Sequence, residues 1–220
     1  MLENSISVIV KIVICGEIGV GKTCLFNRIN NLKYDSNPKT TSNDYHKKII
    51  EKDNIKVNCE FWDTAGQEKF YSLNRIFFKD AQIAIIVYDI TRTNTFEKIK
   101  DFWFNEIINN AKNSVIIGIA GNKSDLFENE EVNENEVRDF ANSINASFNL
   151  CSAFKNEGIN ELFDELIDKF LKINKLIEHN KNNNEFKLNN YDESNKKKRK
   201  KNVVNFFLFV FYFEILYNYF

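Results

Sequence analysis

The feature that most restricts this chain is the loop Gly16-Glu17-Ile18-Gly19-Val20-Gly21-Lys22-Thr23, placed directly after a near-continuous apolar run over residues 6–14. The run reads as a strand buried on both faces of a parallel sheet. A G-x-x-x-x-G-K-T loop between a strand and a helix makes a cradle for phosphate. Its glycines let backbone N–H groups converge on phosphate oxygens, and the helix N-terminus adds positive potential. Lys22 is placed to reach the β- and γ-phosphates, and the Thr23 hydroxyl to ligate Mg2+. Gly16, Ile18, Gly19, Val20, Gly21, Lys22, Thr23 and Cys24 are therefore candidate contacts of a bound nucleotide. The loop alone leaves a GTPase, an ATPase and a small-molecule kinase equally open.

The pattern downstream predicts an α/β fold. Residues 49–61 read as two strands with Lys52-Asp53-Asn54 turning between them, and residues 83–88 and 115–120 as two more buried strands. Helical periodicity fills residues 95–109, 133–144 and 159–172, the last with Leu162, Phe163, Leu166, Ile167 and Phe170 on one face. Strands alternating with helices argue for a doubly wound sheet with right-handed crossovers, which binds ligands at the carboxyl ends of its strands.

Two further motifs fall at such ends. Asp63-Thr64-Ala65-Gly66-Gln67 follows Trp62. A carboxylate there can hold Mg2+ through water, a glycine N–H can sense the γ-phosphate, and Gln67 can orient an attacking water. As a plain structural element Asp63 would instead cap a helix over residues 68–79; the two roles are compatible. Asn122-Lys123-Ser124-Asp125 follows the strand at 115–120 and decides the base. The Asp125 carboxylate can accept hydrogen bonds from both N1–H and the 2-amino group of guanine. Adenine lacks that donor pair and would leave the charge desolvated. Asn122 would tie this loop to the phosphate loop, and the Lys123 stem would cover one face of the base.

The set G-E-I-G-V-G-K-T, W-D-T-A-G-Q-E, G-N-K-S-D and C-S-A resembles the Rab branch of the small GTPases over residues 6–173, and the stretches Lys69-Phe70-Tyr71-Ser72-Leu73, Phe77-Phe78-Lys79-Asp80-Ala81 and Val87-Tyr88-Asp89-Ile90-Thr91 carry the resemblance to Rabs in particular. The resemblance implies a P-loop NTPase G domain: a mixed six-stranded, mostly parallel sheet with one antiparallel edge strand and five helices on its two faces. It implies a switch that cycles between GDP and GTP, hydrolyses GTP with Gln67 and Lys22 as catalytic groups, and regulates vesicle traffic. Tyr34, Thr40, Gly66, Ser152, Ala153 and Phe154 would join the nucleotide contacts, and Thr23, Thr40 and Asp63 the Mg2+ site. Exchange factors, GAPs and effectors would engage Thr40 to Tyr45 and Gln67 to Phe78. Tyr45, Trp62 and Phe77 would form an aromatic trio that repacks between the two nucleotide states; without the resemblance they read as core aromatics.

Four departures from the Rab pattern stand out. Thr40-Thr41-Ser42-Asn43-Asp44-Tyr45 replaces T-I-G-x-D-F; counting back from Trp62 selects Thr40 as the metal-binding threonine, counting forward from Thr23 selects Thr41, and the match of Asp44-Tyr45 to D-F favours Thr40. Ile18 puts a branched apolar side chain where relatives carry small or polar ones, so slow hydrolysis is expected, with a hydrolysis-silent scaffold as the alternative reading. Phe154 replaces a lysine and would cover the base by stacking. Finally, Rabs end in prenylated cysteines, whereas the last cysteine here is Cys151.

Charge is segregated along the chain. Lys196 to Lys201 is a block of six basic residues, leaving the first 195 residues with 24 basic and 30 acidic side chains. The body is thus no nucleic-acid binder, and the block reads as a membrane-surface signal in preference to a nuclear one. Residues 174–202 form a basic linker, flexible over 176–195, and 203–220 an apolar tail with 15 apolar residues of 18. That tail is readable as a membrane anchor, although Glu214 near its centre costs about 2–3 kcal/mol in a bilayer. It is equally readable as an interfacial segment, or as translated AT-rich intron. The start lacks the basic region of a signal peptide, and Cys15, Cys24, Cys59 and Cys151 form no C-x-x-C pair, so a cytosolic chain associated with the cytosolic face of endomembranes is expected.

Overall fold

The computed structural model describes residues 6–35, 44–63 and 76–182. In chain order the elements are β1 (Ile6–Cys15), α1 (Lys22–Ile29), β2 (Asp44–Lys52), β3 (Ile55–Asp63), β4 (Ile83–Asp89), α2 (Thr93–Lys98), a π-helical turn (Ile99–Trp103), α3 (Phe104–Asn110), β5 (Ile116–Asn122), a 3-10 helix (Ser124–Asn129), α4 (Glu134–Ser143), β6 (Ser147–Cys151) and α5 (Ile159–Asn182). The six strands form one sheet in the order β2-β3-β1-β4-β5-β6. All neighbours are parallel except β2, which runs antiparallel to β3 at the edge.

Local chemistry explains the pieces. Asp53 and Asn54 adopt φ of 52° and 61°, the left-handed pair a two-residue hairpin turn requires, and residues of this type tolerate it. Every residue of β4 and of β5 is buried, as parallel strands covered on both faces must be. β3 alternates strictly, with Ile55, Val57, Cys59 and Phe61 turned to the core beneath α1 and α5. A second core on the opposite face packs α2, α3 and α4 around Trp103, Phe96 and Phe140.

Two expectations change, and one strand was not anticipated by position. β1 is not buried on both faces throughout: Ile9 is 61% exposed while its neighbour Val10, on the opposite face, is fully buried, so the first half of the strand is covered on one face only. The helix predicted to stop near residue 172 continues as α5 to Asn182, through stretch 176–182 that composition assigned to the linker. Leu176, Glu178 and Lys181 there are good helix formers, and the stretch has no Gly or Pro to stop a helix already running. β6 was not located from the sequence, since Ser147-Phe148-Asn149-Leu150-Cys151 lacks a β-branched run. The helix expected over 68–79 lies mostly outside the described residues, as do the linker beyond 182 and the apolar tail. Among the described residues no helix is long and apolar enough to cross a membrane.

Candidate functional site: a phosphate loop and a base loop joined at the strand ends

The loops that follow β1, β4, β5 and β6 converge at the carboxyl edge of the sheet, where Asp63 ends β3. Gly16 has φ +138°, and a Cβ there would sit 2.2 Å from the Val87 carbonyl oxygen, so the loop leaves β1 by a path only glycine can follow. Gly21 caps α1 in a left-handed conformation and offers no side-chain partner to the first turn. A helix start left open in this way suits an anion. Val20 is fully buried and anchors the middle of the loop, whereas Ile18 projects outward, 59% exposed.

Lys22 opens α1 and is buried, its Nζ donating to the Glu17 carbonyl at 2.7 Å across the loop. Burial pulls its pKa below the ordinary lysine value, with the Asp63 carboxylate pushing back. A buried ammonium against one carbonyl retains donors for phosphate oxygens. Next to it the Thr23 hydroxyl donates at 2.7 Å to Oδ2 of Asp63, the fully buried carboxylate that ends β3. Two hard oxygen ligands side by side at the phosphate lysine fit Mg2+, which takes few protein ligands together with phosphate oxygens. Cys24 is buried in the same turn, its thiol on the Asp35 carbonyl.

The base side is built around Asn122, the last residue of β5, which is 2% exposed. Its Nδ2 donates to the Val20 carbonyl at 2.8 Å, and its Oδ1 accepts from the Ala153 N–H at 3.1 Å. One side chain thereby joins the base loop to the phosphate loop, as the sequence suggested, and also to the loop after β6, which the sequence did not suggest. Ser152 is fully buried; its hydroxyl donates to Asp125 Oδ1 at 2.5 Å and accepts from the Lys155 N–H at 2.9 Å. Asp125 is held in place while its other oxygen remains for a ligand. Lys123, in a left-handed conformation, reaches Asp89 Oδ2 at 2.5 Å.

Two residues missed in the sequence complete the site. Arg28, in the last turn of α1, donates to the carbonyls of Ala153 at 2.8 Å and Phe154 at 2.9 Å, and its guanidinium lies 4.6 Å from the Tyr34 ring centre. Tyr34 in turn meets Phe154 edge-on, with ring centres 6.1 Å apart. Nothing in the sequence singles out one arginine in a short helix. Asp89 stands unmarked within Val87-Tyr88-Asp89-Ile90-Thr91, yet it is 1% exposed and accepts from the Thr91 N–H and hydroxyl as well as from Lys123 and Arg92. Burial pushes its pKa up, but the hydrogen bonds from Lys123 and Thr91 outweigh that and hold it below the ordinary value of 3.8.

The aromatic trio is brought together: Trp62 lies 4.8 Å from Tyr45 and 5.9 Å from Phe77, centre to centre. Tyr45 is 43% exposed, whereas Trp62 and Phe77 are partly buried against the second core, so the trio runs from the surface to the edge of that core. Thr40, Thr41, Gly66 and Gln67 lie outside the described residues.

Residues 11–172 match the Ras family. The chain is 38% identical over 163 residues to the putative ras-related protein Rab-5B of Dictyostelium discoideum, covering 74% of this chain and 75% of that protein. It is 36% identical over 174 residues to the ras-related protein Rab-21 of Homo sapiens, covering 79% of this chain and 77% of that protein, and equally identical to Rab-21 of Mus musculus. With the strand order, the phosphate loop and the base loop in agreement, this chain belongs to the Rab family of small GTPases, within the Ras superfamily.

Proposed function

We propose that this Rab-family chain works as a guanine-nucleotide switch in vesicle traffic, hydrolysing GTP to GDP and phosphate at the carboxyl edge of its sheet. The observation that carries the site assignment is the Asn122 bridge from Val20 to Ala153, which makes phosphate binding and base recognition one structure. In this reading Asp125 takes the guanine edge, with the Lys123 stem, Tyr34 and Phe154 around the ring. Lys22 and the backbone from Gly16 to Cys24 hold the phosphates, aided by Thr40 and Gly66. Thr23, Thr40 and Asp63 hold Mg2+, which neutralises charge on the phosphates when bound. Gln67 orients the attacking water, and an arginine from a GAP completes the charge compensation. Ile18, exposed at the phosphate loop, crowds that approach and keeps hydrolysis slow.

The γ-phosphate would order Thr40 to Tyr45 and Gln67 to Phe78, and Tyr45, Trp62 and Phe77 would report that change to effectors. Membrane attachment falls to the basic block and apolar tail. The test of the site is competition binding on the purified full chain with GDP, GTP, ATP and XTP. Guanine nucleotides bind with Mg2+, ATP does not compete, and Asp125→Asn trades guanine for xanthine preference. Equal binding of ATP and GTP would refute the assignment of Asp125.

A further inference from the structure

Arg92 extends from the turn between β4 and α2 back over the phosphate loop. Its Nε donates to Asp89 Oδ2 at 3.0 Å, and its Nη2 donates to the carbonyl of Ile18 at 3.0 Å. The guanidinium lies against the loop, 3.7 Å and 3.9 Å from where a Cβ on Gly19 would stand. We infer that Arg92 is a positioning residue for the nucleotide's β-phosphate: it fixes the Ile18–Gly19 peptide so that the Gly19 N–H is held ready to donate to a phosphate oxygen. The inference rests on nucleotide binding in this loop and adds a residue to it.

The argument is geometric. The carbonyl of Ile18 and the N–H of Gly19 belong to one planar trans peptide and point in opposite directions. A cation holding the carbonyl on the outer side directs the N–H into the loop. Gly19, at φ +76°, has no side chain to restrain that plane by itself. Arg92 is itself restrained, because Asp89 is 1% exposed and also carries Lys123. The buried carboxylate therefore aligns a cation on the phosphate loop and a cation on the base loop at once. A planar guanidinium suits this task, since it makes two divergent hydrogen bonds from one rigid group.

The test compares the full chain with Arg92→Ala and Arg92→Lys, loaded with GDP and Mg2+. The readouts are GDP release and the 31P resonances of the bound nucleotide. Arg92→Ala releases GDP about tenfold faster, the scale of one charge-assisted hydrogen bond, and moves the β-phosphate resonance while the α-phosphate resonance stays. Arg92→Lys is intermediate, because one ammonium cannot span both oxygens at the same geometry. Unchanged release overturns the inference. So does faster release with an unmoved β-phosphate resonance, which would make Arg92 a general support of the fold. Failure of the unsubstituted chain to bind GDP would instead refute the site assignment itself.

Discussion

Replacing Asn122 by alanine removes the single side chain that joins three loops. Two buried groups lose their partners: the Val20 carbonyl, now held at 2.8 Å, and the Ala153 N–H, now held at 3.1 Å. Stranding a buried polar group costs about 1–3 kcal/mol, so two give about 2–6 kcal/mol if neither finds water. The same two bonds hold the phosphate loop against the loop after β6, so part of the loss appears as weaker nucleotide binding and the rest as lower stability. Taking the lower part of the range, about 2–3 kcal/mol, nucleotide affinity falls by roughly 30- to 150-fold. The assay is GDP affinity from association and dissociation rates, alongside urea unfolding with saturating GDP. GDP affinity for Asn122→Ala within about twofold of the unsubstituted chain would refute the claim that Asn122 couples the loops, since that is under half a kcal/mol.

Three more outcomes are expected. Gly16→Ala places a Cβ 2.2 Å from the Val87 oxygen at a φ of +138°, so it costs several kcal/mol, on the order of a severe core defect, and lowers the urea midpoint or abolishes soluble expression. Asp89 has a lowered pKa, so its contribution to stability is whole above the ordinary value of 3.8 and is lost as pH falls through the lower folded value. Asp89→Asn accordingly shows a flatter fall in stability over that acid range than the unsubstituted chain, measured by urea unfolding at stepped pH. Ile18→Ser leaves the fold intact, because the side chain is 59% exposed, and speeds single-turnover hydrolysis.

What was legible in the sequence was what local chemistry dictates. The phosphate loop, the loop from Asn122 to Asp125 and the Asp53-Asn54 turn each demand special backbone or polar groups at fixed spacing, and each stands at the end of the strand where it was expected, as does Asp63, while Thr64 to Gln67 lie outside the described residues. Buried strands β4 and β5 announced themselves by unbroken apolar runs. What was hidden depends on contacts between distant elements. Arg28 meets Ala153 and Phe154 across more than a hundred residues, and no spacing rule signals such a pair. The half-exposed start of β1, with Ile9 open and Val10 buried, follows from which face of the sheet other elements cover, which the strand's own apolar sequence cannot report. The end of α5 was misplaced because a polar helix surface and a linker share a composition.

Single-turnover hydrolysis of GTP preloaded on the full chain with Mg2+ tests the central claim most directly. The account predicts GTP that stays bound and converts slowly to GDP and phosphate, with conversion lost in Lys22→Ala and in Gln67→Leu. Bound GTP that never converts, even with a GAP that acts on Rab proteins, would contradict hydrolysis and leave a GTP-dependent scaffold.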